Sequence, residues 1–142
     1  MTSDEHQTAD ARLLATLELE CPWGVLLITD DESSEAIPSW ASDEEHVTSA
    51  SSALVARVKH QDDGEVVVRV WDGDGAFGGS VSFCGEIQID SGRLRISDAL
   101  GQVAVIVVVA NGRHRVDLYS NSAVEASEIN LVLDPVGQDH RD

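Results

Sequence analysis

Basic residues are scarce in this chain of 142 residues: eight arginines and a single lysine, Lys59, face 26 acids and leave a formal charge of -17. A protein that grips nucleic acid needs fields of Lys and Arg against the phosphates. That class is excluded as the main function, and an anionic membrane surface goes with it. Cysteine is scarce too. Cys21 and Cys84 cannot make a disulfide framework or a CxxC metal knuckle, and two reduced thiols fit a cytosolic chain. A single disulfide would require their two strands to be neighbours. The longest strongly apolar run, residues 103–110, is eight residues long, where a membrane helix needs about 20. The opening MTSDEHQTADAR lacks the basic start and apolar stretch of a signal peptide. The expected location is the cytoplasm.

Catalytic signatures are missing as well. His6, His46, His60, His114 and His140 show no HxH or HExxH spacing, and zinc needs three or four converging ligands. Asp72-Gly73-Asp74-Gly75 starts like a calcium loop but stops after two oxygen donors, without the late Glu. Asp62 with Asp63, and Asp30, Asp31 and Glu32, are adjacent carboxylates in loops, so they should stay ionised and do little acid–base work. Ser80 and Ser82 sit in no nucleophile elbow, and no phosphate loop or dinucleotide fingerprint occurs. The expectation is a protein that is not an enzyme and uses no metal or cofactor.

What is present is a β pattern. Apolar residues make up 42 % of the chain and charged residues 25 %, enough to fold one domain's worth of chain. Leu13, Ala15, Leu17, Leu19 and Cys21 recur at period two, although a short helix also fits residues 9–17. After Pro22, residues 23–29 (WGVLLIT) read as a mostly buried strand. Strands follow at 54–59 and 66–71 around the turn signal Gln61-Asp62-Asp63-Gly64, and then at 81–89 and 93–97 around Asp90-Ser91-Gly92. Residues 103–109 are apolar on both faces, which predicts a central or covered strand. Asn111-Gly112 is the strongest hairpin signal, because both residues tolerate positive φ; its return strand is 114–119. Residues 128–134 close the pattern. Between the strands, Ser42 followed by Glu45 forms a capping box, and Asp43 and Glu44 suit a helix N-terminus, so a short helix is predicted over 43–50. The expected fold class is all-β: an antiparallel β-sandwich or partly open barrel of about eight or nine strands with one short helix. The expected domain is 12–136, with tails at 1–11 and 137–142.

The charge is unevenly spread. Residues 1–50 carry twelve acids and one base, residues 51–120 nine acids and seven bases. The surplus sits in front of a nearly balanced core. Asp30, Asp31, Glu32 and Glu35, then Asp43, Glu44 and Glu45, form an acidic block with Ile37 and Trp40 embedded as apolar anchors. Such a field steers a basic partner, and a tryptophan supplies local affinity. The same surplus also serves solubility or adaptation to salt, and Ile37 and Trp40 would equally pin a long loop onto the sheets.

The order of elements resembles the competence protein J family. The resemblance is clearest at Pro38-Ser39-Trp40-Ala41-Ser42-Asp43-Glu44, similar to the family's Trp–(Ser/Thr)–Asp–Glu entry into a short helix with one residue inserted. It continues through residues 50–54, through the long strand, Gly turn and alternating strand of 81–96, and through Gly112-Arg113-His114-Arg115-Val116, which is similar to a Gly–x–Tyr–x–(Val/Leu) return. His114 stands where the family usually has an aromatic. The resemblance covers about residues 12–136. It implies a compact β-rich protein and, from the best-known member, an inhibitor of a DNA-entry nuclease; it transfers no active-site residues.

Three functions compete. The leading expectation is an acidic protein-binding module, an inhibitor or immunity-type partner of a basic nuclease or toxin, with Asp30, Asp31, Glu32, Glu35, Ile37, Trp40, Asp43, Glu44 and Glu45 facing that partner. The alternative is a small-ligand-binding sandwich using the glycine-rich loop at 72–79, with a pocket beside Trp23, Trp71 and Phe77. An enzyme comes third, and would need a carboxylate–histidine cluster that only folding assembles.

Overall fold

Period-two alternation of Val, Ile and Leu with polar residues drives the chain into strands. The computed structural model describes residues 12–32, 47–73, 80–122 and 126–136. Ten strands occur among them: β1 Arg12–Leu19, β2 Val25–Asp30, β3 Val47–Ala50, β4 Ala53–Arg57, β5 Val66–Asp72, β6 Ser80–Ile89, β7 Arg93–Asp98, β8 Ala104–Val108, β9 Gly112–Ser120 and β10 Glu128–Pro135. They form two five-stranded sheets. The first runs β1-β5-β10-β9-β6 and the second β3-β4-β2-β7-β8. Every pairing is antiparallel except β5 with β10, which is parallel.

The buried faces of both sheets meet in one apolar cluster. The first sheet contributes Val66, Val68 and Val70, with Ile87, Ile89, Val116, Leu118, Ile129, Leu131 and Leu133; the second contributes Leu26, Ile28, Leu54, Leu94 and Ile96. Register makes this one face, since Val68 lies opposite both Leu17 and Ile129. Each fully buried Leu or Ile contributes roughly 1.5–3 kcal/mol. Trp71 points away from the core and is half-buried; its indole N–H donates to Asn130 Oδ1 at 2.9 Å.

The connections differ from the sequence reading in an informative way. Asn111-Gly112 does not close a hairpin: β8 pairs with β7 in the second sheet, and β9 pairs with β6 and β10 in the first. Positive φ at Gly112 (115°) is used to turn the chain from one sheet into the other, and Asn111 Nδ2 donates to Asp90 O at 2.9 Å across that corner. The turns at Gln61–Asp63 and at residues 90–92 change sheets in the same way.

Three further expectations are corrected. Residues 47–50 are strand rather than helix: β3 pairs with β4 from Val47–Ala56 to Ala50–Ala53 across a two-residue turn, and this pairing outweighs a local capping signal. Residues 43–46 lie outside the described residues. The apolar strand expected at the centre, β8, is an edge strand with Ile106 and Val108 exposed. The described residues also hold ten strands rather than eight or nine.

Candidate interaction surfaces

Of the nine predicted partner-facing residues, Asp30, Asp31 and Glu32 are described; Glu35, Ile37, Trp40, Asp43, Glu44 and Glu45 lie outside the described residues. The three acids have different employments. Asp30, at the end of β2, is 6 % exposed. Its carboxylate accepts from the Ser91 hydroxyl and from the Asp90 N–H at 3.2 Å, so it ties the β6–β7 turn to β2. Asp31 and Glu32 flank the Arg93 guanidinium. Arg93 Nε donates to Asp31 at 3.2 Å, and one terminal nitrogen donates to Glu32. Hydrogen bonds from Arg93 to Asp31 and then Glu32, with the Glu32 charge, hold its pKa above the usual guanidinium range. Among the described residues of this corner, one arginine pairs with two of the three acids, and the third is held by a hydroxyl and backbone N–H groups.

The opposite end of β2 was not among the predicted partner-facing residues, and Trp23 entered only the alternative pocket. Trp23, expected in a buried strand, instead sits in a single 3-10 turn, Pro22–Gly24, and is 68 % exposed. Its φ is +62°, and it is the one non-glycine residue with positive φ among the described residues. A bulky side chain in this left-handed region costs roughly 1–2 kcal/mol. The surroundings enforce the conformation. Pro22 and Gly24 are both buried. Gly24 N–H donates to Cys21 O at 3.0 Å, Val58 N–H to Gly24 O at 2.9 Å, and Gln61 N–H to Cys21 O at 3.0 Å. A Cβ on Gly24, itself at φ +66°, would meet Val58 O at 2.8 Å. The Pro-x-Gly flanks of Trp23 were the available signal; the apolar run that follows them masked it.

Those hydrogen bonds set the Trp23 turn against the neighbouring turn Gln61–Asp63. There Asp62 N–H donates to His60 Nδ1 at 3.0 Å, and the Asp62 carboxylate lies 3.5 Å from the same nitrogen. Asp62, Asp63, Glu65 and Glu20 are all exposed. No Lys or Arg of the described residues lies within 4 Å of these carboxylates. Nearby, the loop after β7 is organised by Asp98, 1 % exposed. Its carboxylate accepts from the N–H groups of Leu100, Gln102 and Val103 at 2.7, 3.1 and 2.9 Å. Burial pushes the Asp98 pKa up, the backbone donors pull it down, and it ends below the usual carboxylate value.

The pocket expected beside Trp23, Trp71 and Phe77 is not assembled as proposed. Trp23 lies by the turn that leads into β5, Trp71 near the far end of that strand, and Phe77 is outside the described residues. A cleft of about 310 Å³ does open at the Asp72 end, lined by Arg12, Leu14, Asp72, Val108, His114 and Pro135 among others. His114 is 2 % exposed. Its Nε2 lies 2.7 Å from Ala110 O and donates to it, and its Nδ1 has no partner. The described residues contain no group of three or more His, Cys, Asp or Glu able to hold a metal ion. Both cysteines are free. Cys21 is buried, and burial, then the Asp98 charge, pushes its thiol up to about 12. Cys84 is exposed and donates to Asp117 Oδ1 at 2.9 Å, which also raises its pKa.

No family model and no curated protein matches the sequence. Two solved structures share its fold. ComJ from Bacillus subtilis, described as an inhibitor of the DNA-degrading activity of NucA, is 10 % identical, with a TM-score of 0.70 over 89 % of this chain and 98 % of that one. The crocagin biosynthetic protein J is 18 % identical, with a TM-score of 0.61 over the same shares. The likeness is one of fold, and it agrees with the β-rich architecture that the family resemblance implied.

Proposed function

We propose that this chain is a cytoplasmic protein-binding module that acts stoichiometrically, as an inhibitor or immunity-type partner of a basic nuclease or toxin. The observation that carries the reading is the fold shared with ComJ over nearly the whole of both chains, with a TM-score of 0.70. ComJ inhibits the DNA-degrading activity of a nuclease, and a nuclease is basic where it holds DNA. An acidic chain of net charge -17 is matched to that field and is steered to it at low ionic strength. In this reading the two sheets are the layers of an open sandwich, and the partner docks at one of its ends.

The test is co-purification with the tagged chain from its native cells. One small basic protein retained at low salt and released at high salt, whose nuclease or toxin activity falls when the chain is added back, supports the reading. Retention of no protein at either salt concentration overturns it.

A second reading is favoured by one observation, the cleft at Arg12 and His114 with its unpartnered imidazole nitrogen. A small ligand with an N–H or O–H donor would satisfy His114 Nδ1. Screening by thermal shift, with His114→Phe as the control, separates the two: a ligand that stabilises the parent and not the variant favours the cleft.

A further inference from the structure

We propose that Trp23 is the anchor of the partner interface, and that its occupant is a basic protein presenting an apolar pocket flanked by arginine. The proposal rests on the protein-binding reading above and adds where, and by what chemistry, the partner is held. Three observations converge. The indole is 68 % exposed, so it contributes little to the core. It is held out by a strained backbone, at φ +62°, where Gly or Asn would close the same turn without strain. The turn beneath it is fastened by hydrogen bonds to Val58 and Gln61 and by the close approach of Gly24 to Val58, so the side chain is presented from a rigid base. Rigid, exposed aromatics are what interfaces use as anchors, because little rotamer freedom is lost on docking.

Charge identifies the occupant. Glu20, Asp62, Asp63 and Glu65 rim the turn, exposed and without a described Lys or Arg within 4 Å. Two basic residues adjoin them. Lys59 runs beside Gly64, and Arg57 already has an interaction of its own. The four acids outnumber the two bases, so the surface repels a second copy of itself and attracts a basic one. Arginine is the fitting cation, since its guanidinium both pairs with carboxylates and stacks on an indole face.

Hydroxyl-radical footprinting of the tagged full chain tests this, with oxidation of Trp23 read by mass spectrometry against half-buried Trp71 as internal reference. Trp23 should be protected severalfold in native lysate at low salt, and should regain the reactivity of the purified chain at high salt. Trp23 equally reactive in low-salt lysate and in pure protein overturns the proposal. If a basic partner still co-purifies in that case, only the location is wrong; if none does, the protein-binding reading fails with it. Protection that survives high salt overturns the basic character of the occupant. Trp23→Gly supplies the second arm. It should weaken the purified complex about thirtyfold, the loss expected for an interface anchor, while raising the urea midpoint of the free chain. A variant that binds as tightly as the parent overturns the proposal, and the raised midpoint separates lost binding from failed folding.

Discussion

At the Asp30 end of β2, acids are folded into the protein. Asp30 ties a turn, and Asp31 and Glu32 share Arg93. At the Val25 end, one acid is used in the same way, since Asp98 organises a loop through three backbone N–H groups. The exposed acids there, Glu20, Asp62, Asp63 and Glu65, have no comparable arginine among the described residues. The two ends are separated by a six-residue strand, about 20 Å at the usual rise. Both are acidic in sequence, yet among the described residues only the Asp30 end pairs its exposed acids with an arginine, and the other end also presents a strained, exposed tryptophan. The comparison shows that an acidic run is not an acidic surface until the cations folding brings to it have been counted.

The strongest way to probe this comparison is through the two buried aspartates. Asp98→Ala leaves three backbone donors unsatisfied and should cost about 3 kcal/mol, read from urea unfolding. Asp30→Ala removes the acceptor of the Ser91 hydroxyl, of the Asp90 N–H and of the more distant Glu32 N–H at 3.5 Å, and should cost about 2 kcal/mol. A larger loss at Asp30 would reverse the ranking of the two ends.

A second probe is pH. The Asp98 pKa lies below its value in the unfolded chain, ordinarily near 4. Its contribution is therefore fully present above that value and is lost as pH falls through the lower, folded-state pKa. The urea midpoint should drop across that acid range, and Asp98→Asn should flatten the drop. Arg93→Ala is a smaller perturbation. It should shift the midpoint slightly, and by less in high salt, since its ion pairs are partly exposed. It frees Asp31 and Glu32 and so leaves the described acids of the first end, like those of the second, without an arginine partner. Partner affinity that stays unchanged in Arg93→Ala, while Trp23→Gly loses it, would sharpen the contrast.

The smallest effect is chemical. Cys21 carries the carbonyl that accepts from both Gly24 and Gln61, and its thiol is buried and pushed up to about 12. Iodoacetamide at neutral pH should label Cys84 slowly and Cys21 not at all until the chain unfolds. Labelling of Cys21 in the native protein would show that the base under Trp23 opens.

Most strands were legible because alternation is a local property: Val66, Val68 and Val70, or Ile129, Leu131 and Leu133, declare one face without reference to neighbours. Sheet membership was not. Turn residues at Asn111-Gly112 announce a reversal, and the same positive φ serves a hairpin or a change of sheet; only the partner strands decide. The capping pattern at Ser42 and Glu45 predicted helix through residue 50, where pairing with β4 prevails. In the candidate site, Asp30, Asp31 and Glu32 were read together as loop carboxylates, but Asp30 is buried at the end of β2, and Arg93, about 60 residues away, could not be connected to the other two from spacing. Trp23 was concealed by the apolar residues after it, and its exposure follows from backbone hydrogen bonds to residues 58 and 61.

The strand order of the first sheet bears on how the protein is made. β10 lies between β5 and β9 and, among the described strands, is what links the β1–β5 and β9–β6 pairs. On the ribosome, these two hairpin-like halves must wait for residues 128–135 before they can join, while the second sheet already has all its strands by residue 108. A chain lacking β10 therefore has one sheet complete and the other split, with the edges of β5 and β9 unpaired. Loss of β10 alone divides the first sheet in two, so these eight residues hold together far more of the fold than their number suggests.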